Sequence, residues 1–170
     1  MRRIAAAALV ALAFPMATAA GDLAGGYSFE RTSGDDAVSR HGWNVSAATF
    51  LTGPVALVAD AAGHYGTAGG VDREQLTLMA GPRLSFRRSE KYSPFLQALV
   101  GLARETASVT VLDVKISQHE DRLGFLLGGG LDVRLRGRWA LRLAGDYERS
   151  SKSGDSLSGF RLGVGAAYRF

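Results

Sequence analysis

Cysteine is absent from this 170-residue chain, and histidine occurs three times, at His41, His64 and His119. Thiol chemistry is therefore closed to it, and imidazole chemistry has three places to occur. Ser39 stands two residues from His41, and Ser117 and Glu120 flank His119. Hydroxyl, imidazole and carboxylate are the groups that nucleophilic attack on an acyl bond requires. Geometry in space, not spacing along the chain, makes a triad, and both groupings lie in polar stretches where solvated loop residues are the expectation. Asp35, Asp36 and Asp113 offer hard oxygen ligands of the kind a divalent cation takes, again from polar stretches. These residue types point to no catalytic centre, no dedicated metal site and no cofactor site.

A larger set of charged residues alternates with apolar ones: Glu30, Asp60, Arg83, Glu105, Arg122, Asp132, Arg134, Arg142, Asp146, Glu148 and Arg161. Both signs are present, so the set can pair with itself, which buried charges require. Eight segments carry the alternation, at about 22–31, 42–51, 55–65, 74–87, 94–106, 119–135, 139–149 and 160–170. Successive side chains of a strand point to opposite faces, so each segment has a greasy side and a polar or small side. In the fifth segment Phe95 and Leu99 fall on the polar side, which leaves its phase open. Pro82 weakens the fourth, because proline cannot donate to a ladder. Gly53-Pro54 and Arg136-Gly137-Arg138 read as tight turns, and 88–93 as a moderate connection. Longer polar loops are expected at about 32–41, 66–73, 107–118 and 150–156.

The first residues read as an export signal. Arg2 and Arg3 precede the apolar run Ile4–Phe14, Pro15 ends it, and Ala17-Thr18-Ala19 suits cleavage. The run is too short to span a bilayer as a helix. Residues 1–19 are taken as a cleaved signal and 20–170 as one β-barrel domain. Without the two signal arginines the 20 basic residues become 18 against 16 acids, a balance that gives no reason to expect a nucleic-acid partner.

Alternation alone leaves open whether the greasy face points into a soluble barrel, around a ligand, or out toward lipid. The polar face is rich in Gly, Ala and Ser with interspersed charges, which suits the narrow interior of eight strands. Aromatic residues on the greasy parity gather near segment ends: Phe86, Trp139, Tyr168 and Phe170 toward the short turns, and Phe29, Trp43, Tyr65, Tyr147 and Phe160 toward the long loops. Two such rings match the interface girdles of a membrane barrel. The expected fold is all-β, an eight-stranded antiparallel up-and-down transmembrane β-barrel.

The opening Gly25-Gly26-Tyr27-Ser28-Phe29, the Ser93-Pro94-Phe95 start of the fifth segment and the ending Gly165-x-x-Tyr168-x-Phe170 are similar to the outer-membrane β-barrel family that includes the OmpA transmembrane domain and OmpX. The likeness covers the whole chain after residue 19. It implies residence in the outer membrane of a Gram-negative-type cell envelope, with both termini on the periplasmic side. It also implies that Gly165, Tyr168 and Phe170 form a C-terminal signal for the barrel-assembly machinery; Gly163 departs from a pattern that carries a larger polar residue there. No peptidoglycan-binding domain is expected beyond Phe170. The family spans several functions. A monomer with a structural or surface-interaction role is expected, surrounded by outer-membrane lipids and lipopolysaccharide, with loops outside the cell and a charge-filled lumen. The alternatives are a narrow porin-like channel for small solutes and a lipid A-modifying enzyme. The His-x-Ser pairing of lipid A deacylases does not appear, and no enzyme is expected.

Overall fold

A computed structural model describes residues 20–33, 38–68, 71–86, 91–111, 114–152 and 155–170, with the backbone alone at 67–68, 71–72, 107–111, 114–119, 152 and 155–157. The expected export signal at 1–19 lies outside the described residues, as do Asp35, Asp36 and Asp113. The strands are β1 (Gly21–Ser33), β2 (Ser39–Thr52), β3 (Val55–Ala68), β4 (Val71–Ser85), β5 (Tyr92–Val111), β6 (Val114–Arg134), β7 (Trp139–Lys152) and β8 (Asp155–Arg169). Each is antiparallel to its sequence neighbour, and β8 returns to β1, closing the barrel in the order of the chain.

The alternation sorts the faces as the sequence dictates. On β8, Phe160, Leu162 and Val164 are exposed while Arg161 and Ala167 are buried; on β7, Leu141, Leu143 and Tyr147 are exposed while Arg142, Asp146 and Glu148 are buried. A water-soluble protein would turn these faces the other way. Phe160 to Phe170 is ten residue steps, roughly 34 Å of strand, and a tilt of about 40° brings its height to about 26 Å, close to the apolar band of an outer-membrane barrel.

β5 settles its own phase. Leu96, Val100 and Leu102 face outward, while Phe95 and Leu99 are buried inside. Both faces are apolar because Leu99 joins Val58, Met79 and Leu126 in an apolar cluster that fills one side of the lumen, against which Phe50 packs. The interior is thus lopsided, where small residues and charges alone were expected.

At one end the turns are tight, as the sequence indicates: Gly53 and Gly137 adopt φ of 56° and 60°, which glycine alone takes without strain. At the other end the long loops are replaced by continued ladder. β3 pairs with β4 up to Ala68↔Val71, β5 with β6 up to Val111↔Val114, and β7 with β8 up to Lys152↔Asp155. Polarity had suggested loop; it reflects water in place of lipid, and the backbone still pairs. β6 joins β7 only from Leu123↔Ser151, so among the described residues Val114 to Asp121 of β6 pair on the β5 side alone.

The closing seam is tight. Gly26 opposes Gly165 across β1 and β8; a Cβ on Gly26 would lie 2.2 Å from the Val164 carbonyl oxygen, and one on Gly165 2.4 Å from that of Gly25. Gly26→Val is expected to lower the stability of the refolded barrel by about 1–3 kcal/mol in urea titration and to reduce its fast-migrating, heat-modifiable gel band. Gly25→Ala, whose Cβ would sit 3.5 Å from its nearest neighbour, should leave both unchanged. A Gly26→Val barrel of wild-type stability would show that the seam relaxes freely.

Candidate functional site in the barrel lumen

The lumen holds the chemistry of this chain, and cross-strand register places it. Side chains directly opposite on one face of a pair are within reach of one another. Asp132 opposes Arg142, Asp146 opposes Arg161, Glu30 opposes both Arg40 and Arg161, and Arg83 opposes Gln97. From these neighbours three linked tiers arise.

Near the tight turns, Arg142 donates Nε and Nη2 to the two oxygens of Asp132 at 2.8 and 2.9 Å, a forked pair that fixes both planes. Asp132 also accepts from Arg169 at 3.0 Å, and Asp22 lies 3.0 Å from Arg142 and 3.6 Å from Arg83. Both like-charged guanidiniums lie over the ring of Phe95, Arg83 and Arg142 at 4.6 and 5.1 Å from its centroid. Its π face attracts both cations.

In the middle, Arg161 is clamped between Asp60 at 2.8 Å and Asp146 at 3.0 Å. All three side chains are almost completely buried. Gln97 joins this tier to the one below, donating to Asp146 at 3.0 Å and accepting from Arg83 at 2.8 Å. Above, Gln75 donates to Glu148 at 3.1 Å and to Glu30 at 3.4 Å, and accepts from Arg40. Arg40 also donates to Glu105 at 3.1 Å, and Arg122 bonds Glu120 at 2.7 Å beside Glu105.

Ten of the eleven charged residues expected inside are therefore brought together. Arg134 is the exception. It has inward parity, but the chain is already leaving the barrel two residues past Asp132, so its side chain is exposed at the rim. Asp22 and Arg40 belong to the network but were missed. Asp22 sits at the very start of β1, and Arg40 lies in a polar stretch that predicts a loop, although it has the parity of Ser46. The two glutamines carry no charge to attract attention, yet they bridge the tiers.

The histidines fall in three different settings. His41 faces outward, its Nδ1 bonded to the Tyr27 hydroxyl and its ring 5.3 Å from that of Phe29; Ser39 is exposed beside it. His119 opposes Thr106 in the ladder, with only its backbone described, so its grouping with Ser117 and Glu120 lies outside the described side chains. The structure does assemble a serine, a histidine and an acid, but from other residues. Ser28 Oγ is 2.8 Å from His64 Nε2, and His64 Nδ1 is 3.4 Å from Glu30. Gly42 stands between Ser28 and His64 in the register, and having no side chain lets the two meet above it. Spacing could not reveal this chain of three; parity combined with register could. Ser28 and His64 are completely buried. The arrangement orients and satisfies polar groups, and it gives the hydroxyl no open approach for an acyl substrate.

On the outer face, Phe86, Trp139, Tyr147, Phe160 and Phe170 are exposed, as is Tyr65, while Phe29, Trp43 and Tyr168 are half-buried. Trp139 and Tyr168 meet edge to face at 5.0 Å at the tight-turn end, and Tyr147 and Phe160 at 5.4 Å toward the other. Trp43 covers Gly63. Tyr27, Tyr92 and Phe125 share the exposed face and were not among the aromatic residues picked from the sequence. Phe170 is bonded through its backbone to Gly21 at 3.0 and 3.2 Å.

The family described as outer membrane protein β-barrel domain matches residues 4–170. Comparison with curated proteins returns no match. Among solved structures, the attachment invasion locus protein of Yersinia pestis, Ail, shares 21% identity over 89% of this chain and 99% of its own, with a TM-score of 0.65. Neisserial surface protein A shares 17% identity over 89% and 99%, with a TM-score of 0.69. The N-terminal β-barrel domain of Pseudomonas aeruginosa OprF shares 17% over 88% and 99%, with a TM-score of 0.54. At these identities the likeness is one of fold.

The clamp on Arg161 makes a direct test. Arg161→Met leaves Asp60 and Asp146 buried without their cation and should cost about 3–5 kcal/mol in urea unfolding of the refolded barrel. Adding Asp60→Asn and Asp146→Asn should recover part of that loss. A fully stable single variant would mean that water reaches this tier.

Proposed function

The chain belongs to the outer membrane protein β-barrel domain family, and from that premise we propose that it is a closed, structural barrel whose working part is the ladder carried beyond the membrane. The lumen supplies the observation that carries this reading. Six arginines and seven carboxylates cross-link the strands from one mouth to the other, and Val58, Met79, Leu99 and Leu126 fill the remaining side. An ion entering would have to displace paired charges or cross apolar side chains, both costly. The narrow channel is the weaker reading for that reason. The lipid A-modifying enzyme is weaker still, because the assembled serine and histidine face the interior and not the lipid.

The exposed belt makes lipid the surrounding medium, with outer-membrane lipids and lipopolysaccharide as its neighbours and the aromatic residues at its two edges as interface anchors. In the same reading, residues 1–19 direct export and are removed, and Gly165, Tyr168 and Phe170 present the closing strand to the assembly machinery. The barrel works as a monomer. β5 and β6 continue past the charged outer-face pair Arg104–Asp121, 2.6 Å apart, by seven residues on each strand to Val111 and Val114. The one-sided stretch of β6 offers backbone groups to an extended segment of another protein, the geometry of strand addition.

Planar bilayers doped with the refolded protein are expected to show no unitary current; reproducible steps would replace this reading with the channel. Cells expressing the full barrel should attach to protein-coated surfaces better than cells expressing a form shortened between Thr106 and His119, with equal amounts of folded barrel in both. Equal attachment would remove the surface role. Lipid A mass spectra with and without expression should be identical, and a changed acyl pattern would restore the enzyme.

A further inference from the structure

We propose that the tight-turn end carries a binding groove for the phosphate of an anionic phospholipid in the adjoining leaflet. The β6–β7 turn reads Arg134-Leu135-Arg136-Gly137-Arg138-Trp139, three arginines in five positions, all exposed. A groove of about 240 Å³ lies between this turn and the C-terminus, lined by Arg134, Arg138, Trp139, Arg169 and Phe170. Arg169 is held in place by Asp132 at 3.0 Å and by the bond from its backbone N–H to the Arg138 carbonyl at 2.9 Å, and its Nε has no hydrogen-bond partner.

Charge and depth together select the occupant. Among the described residues of this end, the only carboxylate side chains are Asp22 and Asp132, and both are turned inward and already paired with arginine. Among the described residues the rim is therefore cationic. Guanidinium groups present a fork that matches phosphate oxygens. Leu135 and Trp139, 66% and 52% exposed, project from the same turn into continuity with the apolar belt. Tryptophan in such a position marks headgroup depth. A soluble acidic molecule would have to push into the lipid to reach the groove, whereas a phospholipid headgroup is already at that level, with its acyl chains along Trp139 and Phe170. The proposal needs only a folded barrel in a bilayer, so its failure leaves the role proposed above untouched.

The test uses the full barrel refolded into equal mixtures of phosphatidylglycerol and phosphatidylcholine, with the retained lipid identified by native mass spectrometry. Wild type should retain phosphatidylglycerol severalfold over its share of the mixture. The exposed triple variant R134Q/R136Q/R138Q should retain the two lipids equally, and Arg31→Gln with Arg149→Gln, at the other end of the barrel, should behave as wild type. Undiminished preference in the triple variant overturns the proposal. Absence of preference in wild type overturns it too, and is the result if the patch serves an acidic soluble partner. Should the triple variant fail to fold, wild type at roughly 0.5 M salt, where charges are screened within a few ångströms, decides the matter: preference that survives salt unchanged refutes a groove that works by charge.

Discussion

A backbone amide in hydrocarbon has no water to bond, and this constraint shapes everything else in the molecule. Only a helix or a closed sheet satisfies each N–H and C=O inside a bilayer. With no apolar stretch after residue 19 long enough for a helix, the chain meets the requirement by joining β8 to β1 in twelve paired positions, from Asp22↔Arg169 to Ser33↔Ser158. Closure in turn fixes a two-sided wall. The outward parity must be apolar where lipid lies against it, and the inward parity must fill a space just wide enough for side chains. Above the belt the first demand disappears while the ladder persists, which is why polar sequence such as Ser108↔Ser117 remains strand.

The inside wall answers the filling problem in two ways at once. One side is packed with Val58, Met79, Leu99 and Leu126, and the other with arginine–carboxylate pairs. Paired charge occupies volume as a side chain does, but it also fixes direction, since a forked arginine has few arrangements with a carboxylate. Gln75 and Gln97 act as couplers between tiers because an amide donates and accepts from one group. Small residues make room: Gly42 allows Ser28 to reach His64, and the paired Gly26 and Gly165 bring β1 and β8 together at the seam.

Much of this was legible in the sequence because the period of two is strict and each face has one chemical character. The closed architecture, the outward row on β8, the tight turns at Gly53 and Gly137 and ten lumen charges follow from it. What escaped has physical causes. Phe95 and Leu99 looked like a phase error because β5 is apolar on both faces, a property of the packed side of the lumen that Val58, Met79 and Leu126 share on its neighbours. Arg40 was hidden by the assumption that polar sequence ends a strand. Arg134 shows the converse, that parity says nothing about where a strand leaves the barrel. The serine–histidine–glutamate chain joins residues 36 positions apart, and it becomes visible only when β1, β2 and β3 are set in register.

The span of the lumen pairs along the chain has a consequence in time. Arg161 meets Asp60 across 101 residues, Arg142 meets Ser46 across 96, and Gln75 meets Glu148 across 73. None of these bonds can form inside a lone hairpin: Glu30 can meet Arg40 within β1–β2, but Asp60 stays unmatched until β8 brings Arg161. An open sheet is then poorly suited to hydrocarbon on its inner face, and partial insertion gains little. Formation is pushed toward a late, concerted step in which the last strands bring the missing counter-charges.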